Sequence, residues 1–95
     1  MIKKFRVNIP KNTLDQIFNK VKNYPWDNII KMDSWLYGTN HKYLKEISKY
    51  WTSKFNWRIQ EKKINSFSNF VTNVDGINIH FIKEKGSGKN PTPLL

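Results

Sequence analysis

Phe5, Val7 and Ile9 alternate with polar neighbours, the period-two pattern of a short extended segment that stops at Pro10. The period then changes. Leu14, Ile17, Phe18 and Val21 fall at i, i+3, i+4 and i+7, which puts them on one stripe of a helix, with Asn12 or Thr13 placed to cap its start. Tyr24-Pro25-Trp26 ends that helix, because a residue before proline is pushed out of helical geometry. From Trp26 to Gly38 the apolar residues (Ile29, Ile30, Met32, Trp35, Leu36) follow no period, so this stretch reads as a meander fixed by its aromatics. A second helix is predicted from about Asn40 to Lys54, capped by Thr39, with Tyr43, Leu44, Ile47, Tyr50 and Trp51 on one face and lysines opposite. A third, shorter helix opens at Asn56 as N-cap. Trp57, Gln60 or Glu61, and Ile64 share a side, and Arg58 stands three residues from Glu61, close enough to pair.

Beyond it the alternation is again two. Phe70, Thr72 and Val74 lead up to Asp75-Gly76, and Ile77, Ile79 and Phe81 follow it. Asp-Gly between two such runs predicts a hairpin on a type I′ turn, which needs positive φ at both central residues. The loop from Gly86 to Pro93 is rich in turn residues, and Leu94-Leu95 reads as the start of another strand. The chain is therefore α+β: about three helices and an aromatic-rich meander over 1–69, a β-hairpin over 70–85, and a loop entering a third strand over 86–95. A lone hairpin is marginal and exposes its edges, so more sheet is expected.

Composition narrows the possibilities. Ninety-five residues allow one domain at most, with a core that needs covering, and the chain has no cysteine to supply a disulfide or a thiolate metal site. Four Trp and 15% aromatic residues represent a large area to hide on so short a chain. No apolar run approaches the roughly twenty residues of a membrane span, and the first residues carry no apolar signal segment, so the expected location is the cytoplasm. The net charge of +10 is nearly all lysine, with Arg6 and Arg58 the only arginines. Phosphate and base recognition favours arginine's planar fork, so the charge reads as a solvated surface and nucleic acid as an unlikely partner.

Catalytic motifs are missing. The few carboxylates form no catalytic pair with a histidine, and His41 and His80 belong to different elements without a third metal ligand. His80 falls on the strand face opposite Ile77, Ile79 and Phe81, which suits a structural histidine. Gly86-Ser87-Gly88-Lys89 lacks the upstream glycine and the Ser or Thr of a phosphate loop, and Pro91 prevents a following helix. The sequence thus implies no catalytic residue, no cofactor and no metal.

The order of the landmarks is informative. Trp35-Leu36-Tyr37-Gly38-Thr39, Tyr43-Leu44, Tyr50-Trp51, Asn56-Trp57-Arg58-Ile59-Gln60-Glu61, Ile64-Asn65-Ser66-Phe67 and Val74-Asp75-Gly76-Ile77-Asn78-Ile79-His80-Phe81 occur in succession. This succession, from about Phe5 to Leu95, resembles the N-terminal region of epoxide hydrolases of the microsomal and juvenile-hormone type. Asn56 stands where that family usually has Asp; both cap helices. The resemblance implies a helical wrapper around an α/β-hydrolase domain, touching its lid. The Asp-Gly hairpin would be the first two strands of the main sheet, and Pro93-Leu94-Leu95 the approach to a third. It implies a family reaction, hydrolysis of an epoxide to a diol through an Asp ester, whose residues would all lie beyond this chain. The His-Gly-Trp-Pro-Gly loop, the nucleophilic Asp, the His with its acidic partner and the lid tyrosines are not here, and Tyr37, Tyr43 and Tyr50 do not match the lid positions. The membrane-anchoring helix of microsomal members is also absent, which implies a soluble protein.

Trp35, Tyr37, Gly38, Tyr50, Trp51, Trp57, Arg58, Glu61, Asn65, Phe67, Asp75, Gly76 and His80 are accordingly expected to be structural. The implied partner is a catalytic α/β-hydrolase domain, with self-association expected when it is absent. Two other functions compete: a free-standing basic module for nucleic acid or an anionic surface, and a regulator of a separately encoded hydrolase.

Overall fold

A computed structural model describes residues 1–91 and 93, and the strand start expected at Leu94-Leu95 lies outside them. The chain forms two compact units, one of Ile9–Trp57 and one of Met1–Asn8 with the described residues from Arg58 onward.

The helical unit begins with α1, Lys11–Lys22, entered directly from Pro10. The expected caps Asn12 and Thr13 are already inside the helix, where Asn12 Oδ1 accepts from the Thr13 amide at 2.9 Å. The helix starts earlier because Pro10, at φ −58°, fixes the entry angle and its carbonyl accepts the first helical bond from Leu14 at 3.2 Å. A salt bridge between Lys11 and Asp15, 2.6 Å long, spans the first turn. At the other end the Asn23 amide bonds the Asn19 carbonyl before Tyr24-Pro25 stops the helix. The meander contains one short 3₁₀ turn, Trp26–Asn28, and otherwise bends and turns. Helix α2, His41–Ser53, then packs against α1.

The cap of α2 is Asn40 rather than the predicted Thr39. Asn40 Oδ1 accepts from the Tyr43 amide at 3.0 Å, and its Nδ2 donates to Asp33 Oδ1 at 2.8 Å. Asparagine outranks threonine at this position, and its amide carries separate acceptor and donor atoms, so one buried side chain both caps the helix and holds the meander.

The strand unit holds most of α3, Trp57–Ile64, and an antiparallel sheet in the order β1-β2-β3: Lys3–Lys4, Asn69–Val74 and Ile77–Ile82. Strands β2 and β3 pair from Asn69↔Ile82 to Val74↔Ile77. The turn between them has Asp75 at φ 49° and Gly76 at φ 84°, the two positive values that the Asp-Gly signal required. Asn73 Oδ1 accepts the Gly76 amide, and Phe70 and Phe81, opposite each other in register, stack at 5.7 Å. The strand near the start of the chain lies just before the period-two segment, not along it: Lys3 pairs with Val71 and Lys4 with Phe70, and the Phe5 amide alone continues the ladder, to the Asn69 carbonyl at 2.9 Å. The hairpin, expected to expose its edges, is therefore covered along part of one of them. Strand β1 covers part of β2, while β3 has no further strand beside it among the described residues.

Candidate functional site: apolar faces held by asparagine anchors

Among the described residues no hydrophobic side chain is buried; the buried residues are Asn40, Glu61 and Asn69. This inverts the usual order, in which apolar groups fill the interior and polar ones need special pairing. These three buried polar side chains are matched to partners, while many large apolar side chains stay exposed.

In the strand unit the anchors centre on Asn69. Its Nδ2 donates to the carbonyls of Ile64 and Phe67, both at 2.8 Å, which gives a carbonyl at the end of α3 and one in the turn after it a donor. Its Oδ1 lies 2.8 Å from His80 Nε2. The His80 ring rests against Phe5, centroids 4.9 Å apart. Asn65 clamps the entering chain at both backbone groups of one residue: the Val7 amide donates to Asn65 Oδ1 at 2.8 Å, and Asn65 Nδ2 donates to the Val7 carbonyl at 2.7 Å. Arg58 and Glu61 form the expected pair at 2.8 Å, with the carboxylate nearly buried and the guanidinium half exposed. Phe67 and His80 thus meet through Asn69, a residue the sequence did not single out, while Asn65 holds Val7. The available signal was an asparagine, poorly suited to strands, at the first position of β2.

The aromatic landmarks of the helical unit lie on its surface. Trp35 packs on Tyr43 at 5.4 Å and Trp51 on Phe55 at 6.4 Å, yet both tryptophans remain exposed. Tyr50 is more than half exposed, and Tyr37 is 82% exposed, so Tyr37 does not fix the meander as its aromatics were expected to. Gly38, at φ 135°, closes the turn that begins at Trp35, and Trp57 is half-buried at the start of α3. In the strand unit Phe67 is exposed, and the hairpin face carrying Val74, Ile77 and Ile79 is exposed as well. Asp75 and Gly76 form the turn itself.

For chemistry the arrangement offers little. No three His, Cys, Asp or Glu side chains converge among the described residues, and no described helix is long and apolar enough to cross a membrane. His41 packs edge-on against Trp26 at 5.5 Å, and its buried Nε2 has no hydrogen-bond partner. What these residues can do is bind: two helices and a twisted sheet edge present wide apolar faces, held in shape by buried amides.

An antiparallel sheet and amphipathic helices with exposed apolar faces define a small α+β fold, which more than one family could share. Comparison with known proteins specifies which. Residues 2–95 match the family model of the epoxide hydrolase N terminus. Epoxide hydrolase 1 of Sus scrofa is 31% identical over 98 residues, a match taking in 99% of this chain but 22% of the pig protein. Juvenile hormone epoxide hydrolase 1 of Ctenocephalides felis is 29% identical, over 88% of this chain and 18% of its own length. The solved Aspergillus niger epoxide hydrolase superposes with a TM-score of 0.72 at 29% identity, covering 86% of this chain and 22% of that one. The juvenile hormone epoxide hydrolase of Bombyx mori gives 0.72 at 28% identity, with 86% and 20% covered. The chain belongs to the epoxide hydrolase N-terminus family, and it spans about a fifth of the length of the relatives it matches.

Proposed function

We propose that this chain works as the bracing N-terminal region of an epoxide hydrolase, packing its exposed faces on a catalytic α/β-hydrolase domain that opens epoxides to diols. The observation that carries the reading is the outward placement of its large apolar side chains, with only polar residues buried among those described. Apolar area of this extent on a small unit marks an interaction surface. The open edge of β3 supports the same reading, since a strand flanked on one side invites pairing on the other. The chain supplies shape and contact area to that partner, and the bond-making residues belong to the partner. Its proposed compartment is the cytoplasm, in keeping with a sequence free of cysteine.

The test is mixing. The chain is combined with the catalytic domain of the Aspergillus niger enzyme lacking its own matched region, and diol formation from a styrene-type epoxide is followed. Stable co-elution with a gain in turnover supports the reading. Absence of co-elution, together with a coding sequence after Leu95 that is unrelated to hydrolases, overturns it.

A further inference from the structure

One surface of the helical unit is not explained by apolar docking. Between α1 and α2 lies an open groove of about 480 Å³, a size that accommodates a small organic ligand. Lys42, Lys45 and Lys49 line it from α2, spaced i, i+3 and i+7 so that they share one face, and Lys22 joins them from the last turn of α1. Val21 and the half-buried indole of Trp26 supply its apolar lining.

The charges here are unbalanced. The salt bridges among the described residues are Lys11–Asp15, Lys31–Asp27 and Arg58–Glu61, so none of the four groove lysines has a carboxylate within ion-pairing distance. The groove contains one acid, Glu46, which leaves a surplus of three positive charges against its apolar lining. Concave sites lined by one sign of charge concentrate the opposite ion. Arginine is favoured where a phosphate is gripped bidentately, but lysine ammoniums also bind phosphate as point charges, and here four of them line one concave site instead of being scattered over the surface. An aromatic side chain beside them favours a ligand with an apolar body.

We propose that the α1–α2 groove is a binding site for a phosphate-bearing amphiphile, with the phosphate among Lys22, Lys42, Lys45 and Lys49 and the apolar body against Trp26 and Val21. The proposal goes beyond the hydrolase reading and stands without it, since the groove lies wholly within the helical unit.

The probe is 1-naphthyl phosphate, added to the 95-residue chain while urea unfolding is followed by tryptophan fluorescence. A ligand that binds the folded state shifts the transition upward and saturably. Replacing Lys45→Gln together with Lys49→Gln should weaken the apparent affinity by about tenfold or more, because two charge-assisted contacts are lost. Lys62→Gln with Lys63→Gln, on α3, removes the same charge elsewhere and should leave affinity unchanged. Inorganic phosphate should bind several-fold more weakly than the naphthyl ester, roughly in line with the loss of buried apolar area. Retention on phosphatidylcholine vesicles containing phosphatidic acid, competed off by the probe, assigns the source as a lipid headgroup; probe binding without vesicle retention assigns a free phosphate ester. No shift with the probe, or an equal loss with the Lys62/Lys63 pair, overturns the site.

Discussion

The side-chain oxygen of Asn69 lies 2.8 Å from Nε2 of His80, and this contact ties β3 to the start of β2. Asn69 Nδ2 already donates to two carbonyls, so Oδ1 is the atom left to accept, and His80 must present an N–H at Nε2. Asn69 is therefore satisfied at both ends of its amide while joining the end of α3, the following turn and β3. Asn69→Ala removes all three bonds and leaves the Ile64 and Phe67 carbonyls without that donor, which should cost about 2–4 kcal/mol of folding stability. His80→Ala removes one bond and the contact with Phe5, and should cost about 1 kcal/mol. A double-mutant cycle read by urea denaturation should give a coupling of roughly 0.5–1.5 kcal/mol between them. A coupling indistinguishable from zero would refute the contact.

Asn65 does for the N-terminal segment what a neighbouring strand would do, accepting from one backbone group of Val7 and donating to the other. Asn65→Ala should release that segment without melting the hairpin. Amide exchange at Phe5 and Val7 should accelerate by about tenfold or more, as expected for local opening made easier by 1–2 kcal/mol, while Thr72 and Ile79 stay protected. Equal acceleration at all four amides would mean that the clamp is not local.

The two candidate caps of α2 separate cleanly by mutation. Asn40→Ala loses the bond to the Tyr43 amide and the bond to Asp33, and should destabilise the helical unit by about 1–2 kcal/mol. Thr39→Ala should lie within about 0.5 kcal/mol of the parent, since the capping bond is not its own. Helical circular dichroism during thermal unfolding measures both, and the reverse ranking would restore Thr39 as the cap.

How much of this could be read from the chain follows from the range of each interaction. Period and turn chemistry are local, so the three helices, the Asp75-Gly76 hairpin and the Arg58–Glu61 pair were legible within a few residues. Helix caps were missed by one to three residues because Pro10 and Asn40 compete with equally plausible neighbours, and the contact with Asp33 that favours Asn40 lies seven residues away. The pairing of Lys3 and Lys4 with β2 joins positions nearly seventy residues apart, and two lysines carry no strand signature. Asn69 was hidden for the same reason: its partners come from α3, the turn and β3, and only the fold assembles them. The outward-facing stripes were visible as amphipathic patterns, but whether such a stripe is buried is decided by what lies opposite it.

At the hairpin turn, Gly76 adopts φ 84° with open space where a Cβ would stand, so the penalty for a side chain there is conformational and not steric. Gly76→Ala should cost about 1–2 kcal/mol, the strain of a left-handed backbone on an L residue. Asp75→Gly should cost less, because glycine adopts the φ of 49° freely and loses only unfolded-state order. Paired urea titrations of the two variants test this, and the opposite order would show that the turn is not type I′.

The exposed apolar faces make the strongest prediction about the isolated chain. With no described hydrophobic residue buried and β3 open along its length, the chain alone should associate with itself or melt early, because water contacts the surfaces that would otherwise form its core. Ile79→Lys places a charge on the apolar face of β3, and Trp51→Lys does the same on α2. Either change should shift sedimentation-velocity profiles toward the monomer, and because Trp51 also packs on Phe55, circular dichroism of each variant checks that secondary structure is kept. Added singly to the mixing assay with a hydrolase catalytic domain, each should also weaken co-elution if its face meets that domain. A monomer that melts sharply at high temperature, independent of concentration, would show that these faces need no partner.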